Sequence, residues 1–341
     1  ITKISTKRVK RNPLPPFTTS TLQQEASNKL GFGASRTMRI AQKLYEGVNI
    51  GSETTGLITY MRTDGVQLSS QAIEELREEI INRHGKDYIP QIPRVYKSKA
   101  ANAQEAHEAI RPTSISRDPE DMSQYLDTEQ LKLYELIWKR TISSQMQSAV
   151  LDETSADISN KDMSIVFRAN GSQVSFPGFF IYRDREDDKI LPKLVENDKV
   201  DLQKADGEQH FTQPPPRYTD ASLIKKMEEL GIGRPSTYAS ILQVLINRSY
   251  VEKEKGKHLP QERGRILTAF LNNFFGQYIE YDFTADLEKK LDKVSDGKLN
   301  YKKLLKEFWD GFKPHLNKMS DLERDKILEA LENRTIRFIF S

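Results

Sequence analysis

The sequence predicts a multidomain, mainly helical α+β protein with one β-rich segment. Its 341 residues are enough for two or three domains. Apolar residues recur at helical spacing through most of the chain, whereas residues 149–213 alternate as strands do and are broken by glycine turns. The predicted domains are a β-rich hinge unit of residues 1–17 plus 147–213, a helical unit of residues 18–146, a second helical unit of residues 214–332 and a tail of residues 333–341.

The composition excludes several classes of protein. The formal net charge is only +3, which by itself says little about nucleic acid. The absence of cysteine excludes disulfides and thiolate zinc sites and fits a reducing cytosol. No apolar run has membrane-spanning length and no signal-peptide pattern is present, so we expect no membrane partner. Because the chain begins at Ile1 rather than Met, we expect a piece of a longer protein.

The basic N-terminal stretch and the two helices after it come first along the chain. Residues 1–11 carry five Lys or Arg and no acid, which is typical of a solvated strand or of a surface that faces phosphate. We expect this strand to complete the β-rich segment. A capping-box pattern at residues 20–23 predicts a helix that ends at Gly31, and a second helix is predicted between Ser35 and Gly47.

The next stretch, Gly56–Gly65, begins as an apolar, β-branched run and stops at an Asp-Gly pair, which predicts a strand that ends in a turn. Side chains two apart on a strand share a face, so Tyr60 and Arg62 would project together. A neighbouring cation favours the phenolate and can hold a phosphate through two hydrogen bonds. The pair therefore has the chemistry of a nucleophile directed at a phosphodiester, although a strand tyrosine is more often a half-buried packing residue.

A helix is predicted over residues 70–83, and a histidine and an arginine follow the proline-marked loop after it. Because His107 and Arg111 are four residues apart, a helical turn would place them on one side. This pattern is typical of a surface cluster, or of a phosphate clamp with a proton-transfer group. A metal site at His107 is excluded because no other histidine lies at ligand spacing. A long helix is predicted over residues 128–147.

Three strand-like runs are predicted in the β-rich segment, at residues 154–158, 164–167 and 179–182. Four acidic residues follow between positions 184 and 188. They suggest either a magnesium site or a solvated loop, and the loop is favoured because no buried strand precedes them to hold the carboxylates rigid.

A second helix–glycine–helix pair begins after the prolines at 214–216, with one helix ending at Gly231 and another opening at residues 233–238. A helix N-terminus favours anions, so this one is either a phosphate-binding site or simply a well-capped helix. Donors there are Arg234, Ser236 and Thr237, and Tyr238 would stack on a base. A hairpin predicted over residues 250–261 makes the unit similar to a winged helix.

Four motifs occur in the order Pro16–Ala26, Gly56–Asp64, Ala106–Thr113 and Gly231–Ser240. Together they resemble the bacterial DNA topoisomerase I family, which belongs to the type IA topoisomerases. The resemblance extends to about residue 332 and implies a fragment of the family's toroid with winged-helix-like units. It also implies a protein of the cytoplasm, associated with the nucleoid.

The resemblance implies a role for each candidate residue. Tyr60 would attack a phosphodiester of single-stranded DNA and form a 5′-phosphotyrosyl link, and Arg62 would position the scissile phosphate. His107 would act beside them at the cleavage point. Strand passage and religation would then relax negatively supercoiled DNA without ATP, and we expect a monomer. The implied DNA contacts are Arg111, Arg234, Ser236, Thr237, Tyr238 and Arg248.

Two departures from the family's pattern limit these expectations. Gly65 stands where relatives usually have Ser. The Toprim domain that supplies a catalytic glutamate and a Mg²⁺ site is absent from this sequence, and so are the zinc ribbons. We therefore expect Mg²⁺ on the missing domain, no metal on this chain, and no plasmid relaxation by the chain alone. One alternative is a non-catalytic module that binds single-stranded DNA, in which Tyr60 is a packing residue. Another is a winged-helix regulator that binds a specific duplex sequence.

Overall fold

The computed structural model describes residues 1–97, 108–183 and 188–320. The described helices are α1 (Thr19–Leu30), α2 (Ala34–Glu46), α3 (Ser70–His84), α4 (Pro119–Met122), α5 (Thr128–Ser144), α6 (Asp220–Leu230), α7 (Tyr238–Asn247), α8 (Glu262–Phe274), α9 (Gly276–Ile279), α10 (Tyr281–Ser295) and α11 (Tyr301–Ser320). The described strands are β1 (Lys3–Arg11), β2 (Val48–Asn49), β3 (Thr54–Thr55), β4 (Ala149–Ser159), β5 (Val166–Phe176), β6 (Val251–Glu254) and β7 (Lys257–Pro260). The mixed α+β class predicted from the sequence is confirmed.

The N-terminal strand completes an antiparallel sheet of order β1-β4-β5, as predicted. Its register runs from Lys3 opposite Asp157 to Arg11 opposite Ala149. The two arginines of β1 pair with acidic side chains of β4, Arg8 with Asp152 at 3.0 Å and Arg11 with Glu153 at 2.9 Å. Such exposed pairs stabilise a fold only slightly. Their pairing agrees better with a solvated strand than with a surface reserved for phosphate.

The main hydrophobic core fills the first helical unit. Trp138 and Tyr134 of α5 are buried against Leu22 of α1 and Leu44 of α2. Both rings keep their polar atoms paired, since Tyr134 Oη and Trp138 Nε1 donate to backbone carbonyls at 2.7 and 2.8 Å. Burying each such apolar side chain contributes about 1.5–3 kcal/mol. This core also takes in the apolar residues that precede and follow Tyr60, so the candidate nucleophile stands on its surface.

The second unit consists of α6, α7 and the hairpin β6–β7 and has a small core of its own. Ile224, Met227, Tyr238 and Leu242 pack there with Ala34, which α2 contributes from the first unit. Helix α1 packs on α6 and α2 packs on α7. The two helix–glycine–helix pairs therefore lie against each other. In the described part of the chain, no helix is long and apolar enough to span a lipid bilayer.

Several predicted boundaries are wrong by a few residues. The N-cap of α1 is Thr18 rather than Ser20, and α2 begins at Ala34, one residue before the predicted cap. Residues 179–182, predicted to be a strand, lie in a 3-10 helix over Gly178–Tyr182 instead. Burial of Phe179 against the main core accounts for this, because alternation cannot distinguish a strand from a short buried turn. The predicted tail, residues 333–341, lies outside the described residues.

Candidate active site and nucleic-acid groove

The segment that carries Tyr60 is not the strand that its composition predicts. Only Ile58 forms a β-bridge, an isolated one to Pro112. Thr59 N donates to Arg111 O at 2.9 Å, but Arg111 N donates to the Thr59 hydroxyl at 3.0 Å and not to a carbonyl. The Thr59 hydroxyl oxygen thus replaces the backbone carbonyl that would accept the next hydrogen bond between two paired strands, and the strand pairing ends there.

The predicted common face of Tyr60 and Arg62 is nevertheless found. Tyr60 is 39% exposed, and Met61, which follows it, is 1% exposed. Arg62 is exposed again and Thr63 is buried. The alternation of a strand therefore survives without a partner strand. A phenol and a guanidinium both reach solvent on one side of an otherwise buried segment.

The start of α1 fixes this segment in place. Thr19 is fully buried, and its hydroxyl donates to Met61 O at 2.7 Å and accepts from Thr63 N at 2.8 Å. Thr19 N also donates to Thr63 O at 2.8 Å. The peptide groups on both sides of Arg62 are therefore bound to one threonine. Thr19 lies just before the predicted capping box at residues 20–23, so its place in the Pro16–Ala26 motif is the one signal for it in the sequence.

The end of α2 supports the segment from the other side. The rings of Tyr45 and Tyr60 meet edge to face with their centroids 5.4 Å apart. Leu57 N donates to Leu44 O at 2.7 Å. A Cβ on Gly56 would lie 2.5 Å from the Tyr45 carbonyl oxygen, closer than side-chain carbons come to backbone. The motif therefore needs glycine at position 56 for close approach rather than for a turn.

Replacing Gly56 with Ala is expected to lower the free energy of unfolding by about 1–3 kcal/mol, because the added methyl group collides with backbone that cannot move aside cheaply. Urea unfolding followed by circular dichroism measures the change. Gly276→Ala is the matched control, since a Cβ there meets open space. The control should change the unfolding free energy by less than about 0.5 kcal/mol. Equal effects of the two variants would refute the close-approach argument.

A groove lies between the two units, with a cavity of about 410 Å³. Arg62 and Ser35 line it from the first unit, and Ser236, Ser240 and Gln243 line it from the second. No carboxylate lies within ion-pair distance of Arg62 in the described part of the chain. Hydroxyls, an amide and an available guanidinium suit the backbone of a nucleic acid. The structure thus brings together two predicted site residues, Arg62 and Ser236, that are far apart in sequence.

Arg111 is already engaged in local contacts. Its Nε donates to Glu108 Oε2 at 2.7 Å, and its Nη1 donates to Pro112 O at 2.9 Å. Burial raises the pKa of Glu108, but the hydrogen bonds from Arg111 and Ser69 outweigh it and leave that pKa below its ordinary value. Residues 108–112 are extended, so the predicted helical turn is wrong where it is described. His107 lies outside the described residues.

Arg234 connects the second unit to α10 rather than facing the groove. Its Nη2 lies 2.6 Å from Asp292 Oδ2, and Glu288 lies 3.8 Å away. Thr237 Oγ1 accepts from Arg234 N at 2.8 Å and so closes the turn before α7. Both residues shape the helix start, which is the alternative that the sequence left open. Direct contact of Arg234 with phosphate stays a prediction.

The interpretation of Tyr238 as a stacking surface is wrong for this structure. Its ring is 6% exposed and packs in the second core, and burial raises its pKa to about 12. Its periodicity with Leu242 was the signal for core packing. Arg248, at the C-cap of α7, is exposed and stays a candidate DNA contact.

A buried carboxylate at the start of α6 joins the two units. Asp220 is 5% exposed, and its Oδ2 accepts from Ala34 N, at the start of α2, at 3.1 Å. Its Oδ1 accepts from Lys253 Nζ at 2.9 Å and from His258 Nε2 at 2.8 Å. Burial alone would raise the pKa of Asp220, but the hydrogen bonds from His258 and Lys253 outweigh it and lower the pKa to about 2.

This low pKa predicts a pH dependence of stability. A carboxyl group whose pKa is lower in the folded state than in the unfolded state stabilises the protein when the pH is above the unfolded-state pKa. This stabilisation is lost as the pH falls through the folded-state pKa. A shift from 3.8 to about 2 corresponds to roughly 2 kcal/mol. The wild type should have a larger free energy of unfolding than Asp220→Asn at pH 6. We expect this difference between the two proteins to decrease by roughly 2 kcal/mol when the pH is lowered from 6 to 2. An unchanged difference would contradict the assignment.

The donor set of the site does not fit a magnesium ion. Within the described ranges, no group of three or more His, Cys, Asp or Glu side chains lies together as metal ligands would. The groove residues beside Arg62 offer hydroxyls and an amide, whereas Mg²⁺ sites are built on carboxylates and phosphates. We therefore derive no step through a metal held by these residues.

Each comparison with known proteins finds DNA topoisomerases. A family model described as DNA topoisomerase matches residues 1–306. The chain is 51% identical to DNA topoisomerase 1 of Rickettsia felis over 348 residues, which is 100% of this chain and 45% of that protein. It is 49% identical to the Zymomonas mobilis protein of the same name, covering 97% of this chain and 27% of that protein.

A solved structure also resembles the chain. Full-length topoisomerase I from Thermotoga maritima matches with a TM-score of 0.81 at 39% identity, over 92% of this chain and 51% of that one. The chain therefore spans about half, or less, of the length of the proteins that it resembles.

Proposed function

Because the chain belongs to the bacterial DNA topoisomerase I family of type IA enzymes, we propose that it supplies the nucleophile and a phosphate clamp for transient cleavage of single-stranded DNA. The observation that carries this proposal is the exposure of Tyr60 and Arg62 on one side of a buried segment, with Arg62 lining a groove between two units. The substrate would be negatively supercoiled DNA, bound where one strand is unpaired, and the enzyme would act as a monomer.

The chemistry follows from the phenol. Tyr60 Oη attacks the phosphorus, a Tyr–O–P bond forms, and the bond between phosphorus and the 3′ oxygen breaks. The phenol proton is lost as the departing 3′ oxygen gains one, so the products are a 5′-phosphotyrosyl link and a free 3′-hydroxyl. The reverse attack by the 3′-hydroxyl reseals the strand. One ester replaces another at each step, so no ATP is required.

Arg62 provides the electrostatic part of the mechanism. A guanidinium matches two phosphate oxygens in a planar, bidentate arrangement. It would hold the phosphate in line with the Tyr60 oxygen and stabilise charge on the equatorial oxygens in the transition state. Its flanking peptide groups are fixed by Thr19, so the guanidinium starts from a rigid base.

We propose that Mg²⁺ and the remaining catalytic groups come from parts of the enzyme outside the described residues. The length of the relatives and the poor fit of the groove residues to a metal support this. The chain alone should then bind single-stranded DNA without relaxing plasmids. Strong magnesium-dependent relaxation by the 341-residue chain would contradict this part of the proposal.

One oligonucleotide, labelled in one sample at its 5′ end and in another at its 3′ end, tests the function in the full-length protein that carries this chain. A 5′-phosphotyrosyl link keeps the 3′-labelled fragment on the protein through denaturing electrophoresis and releases the 5′-labelled fragment. Peptide mapping of the adduct should identify Tyr60. Binding without any adduct would favour the alternative of a non-catalytic single-stranded DNA module, and preference for a specific duplex would favour a winged-helix regulator.

A further inference from the structure

Polar contacts between described residues cross the seam along which the two units meet. Ser20 Oγ donates to Glu228 Oε2 at 2.8 Å, and Ser35 Oγ donates to Gln243 Oε1 at 3.4 Å. Glu228 and Gln243 are exposed, so water competes for both bonds. The third contact, from the N-terminus of α2 to Asp220, is buried. Water therefore competes less for this contact than for the other two.

The second unit holds Asp220 ready for this contact. Lys253 on β6 and His258 on β7 bind one carboxylate oxygen, and the other points at the first turn of α2. The oxygen of an ionised carboxylate can only accept, so Nε2 of the buried His258 carries the proton that it donates to Asp220. Its Nδ1 has no partner among the described residues. The hairpin β6–β7, which the sequence predicts, thus supports a carboxylate at the seam.

The first unit leaves room for the carboxylate. Gly33 is the N-cap of α2, and a Cβ on it would lie 3.0 Å from Asp220 Oδ2. Its φ of −64° is open to any residue, so conformation does not require glycine there. Space for the carboxylate is therefore one structural reason for glycine there, beside the general preference for glycine over alanine at helix N-caps.

We propose that Asp220 is a positioning residue that latches the second unit to the N-terminus of α2 and so keeps the groove around Arg62 closed. The inference rests on the proposed function, because passage of a strand requires this groove to open and close repeatedly. The contact suits that use. When the seam opens, Asp220 keeps Lys253 and His258, and only one backbone N–H passes to water. If an ion pair held the seam closed instead, opening the seam would require the separation of two opposite charges.

Distance measurements between spin labels test the latch without any activity. To leave any cysteine elsewhere in the full-length protein unlabelled, a ketone-bearing amino acid that carries the spin label replaces Lys43 on α2 and Asn247 on α7, which are both exposed. The full-length protein should give one short distance. Asp220→Asn should raise the population of longer distances about tenfold, the effect of losing one hydrogen bond to a charged group. The asparagine side chain keeps the shape of the carboxylate, but its NH₂ group cannot accept a hydrogen bond, so one of the groups that donated to Asp220 loses its acceptor.

Gly33→Ala provides a second variant from the other side of the seam. It leaves the second unit unchanged and displaces only the carboxylate, so it should open the seam to a similar extent. Since both substitutions break the same contact, the double variant should resemble either single one. Asp286→Asn, which removes an exposed carboxylate from α10, is the control and should change nothing.

Unchanged distances in both single variants, each with a normal melting temperature, would overturn the latch. Additive opening in the double variant would overturn it too, because the two residues would then act separately. If Asp220→Asn does not fold, Gly33→Ala decides the question alone. A failed adduct assay with an intact latch would count against the proposed function only.

Discussion

Replacing Tyr60 with Phe is expected to abolish the covalent adduct with single-stranded DNA in the full-length protein. Removing the nucleophile of a covalent mechanism leaves only binding, so we expect the rate of adduct formation to fall by at least roughly four orders of magnitude. Affinity for the oligonucleotide should stay within about threefold, because base contacts and phosphate contacts lie elsewhere. Quantifying the labelled adduct at saturating DNA separates the two effects.

The neighbouring tyrosine provides a matched control. Tyr45 and Tyr60 are 40% and 39% exposed and their rings touch, so a nonspecific effect of removing a hydroxyl would appear in both. Tyr45→Phe keeps the ring that supports Tyr60 and should retain most of the activity. An adduct that persists in Tyr60→Phe, or disappears in Tyr45→Phe alone, would show that Tyr60 is not the nucleophile.

The parts of the fold that the sequence predicts are those with local causes. Helix α3 was predicted over residues 70–83 and spans Ser70–His84, with a serine cap before it and a glycine after it. Helices α1 and α6 both end at a glycine in the left-handed region, Gly31 and Gly231. Caps, breakers and apolar spacing act within one or two turns, so a single sequence contains them.

The parts that it does not predict depend on contacts between distant residues. Thr59 meets Arg111 from 52 positions away, and its hydroxyl ends the strand that its neighbours favour. Arg234 pairs with Asp292, 58 residues on, which takes its charge away from the groove. Composition shows that such residues are charged or polar but not which partner they meet. The spacing of Tyr60 and Arg62 therefore predicted their common exposed face correctly, whereas the surroundings of Tyr238 and Arg234 needed the structure.

Replacing Arg62 with Ala is expected to slow adduct formation about 10²–10³-fold at saturating DNA, the typical effect of removing one donor that stabilises transition-state charge. Arg62 lines the groove and has no ion-pair partner among the described residues, so its loss leaves no other group uncompensated. Stability should change little. Arg62→Lys keeps the charge but cannot bind two oxygens in one plane, so it should restore only part of the rate.

Arg248→Ala separates clamping of the reacting phosphate from general attraction of DNA. Arg248 is exposed on the second unit, so its loss should weaken binding and reduce the dependence of affinity on salt by about one phosphate contact, with an unchanged rate once DNA is bound. Arg62→Ala should show the reverse, a slower rate with nearly unchanged affinity. If both variants lose affinity alike and react at the wild-type rate when saturated, Arg62 only attracts DNA, and the cation that stabilises the transition state must come from elsewhere in the enzyme.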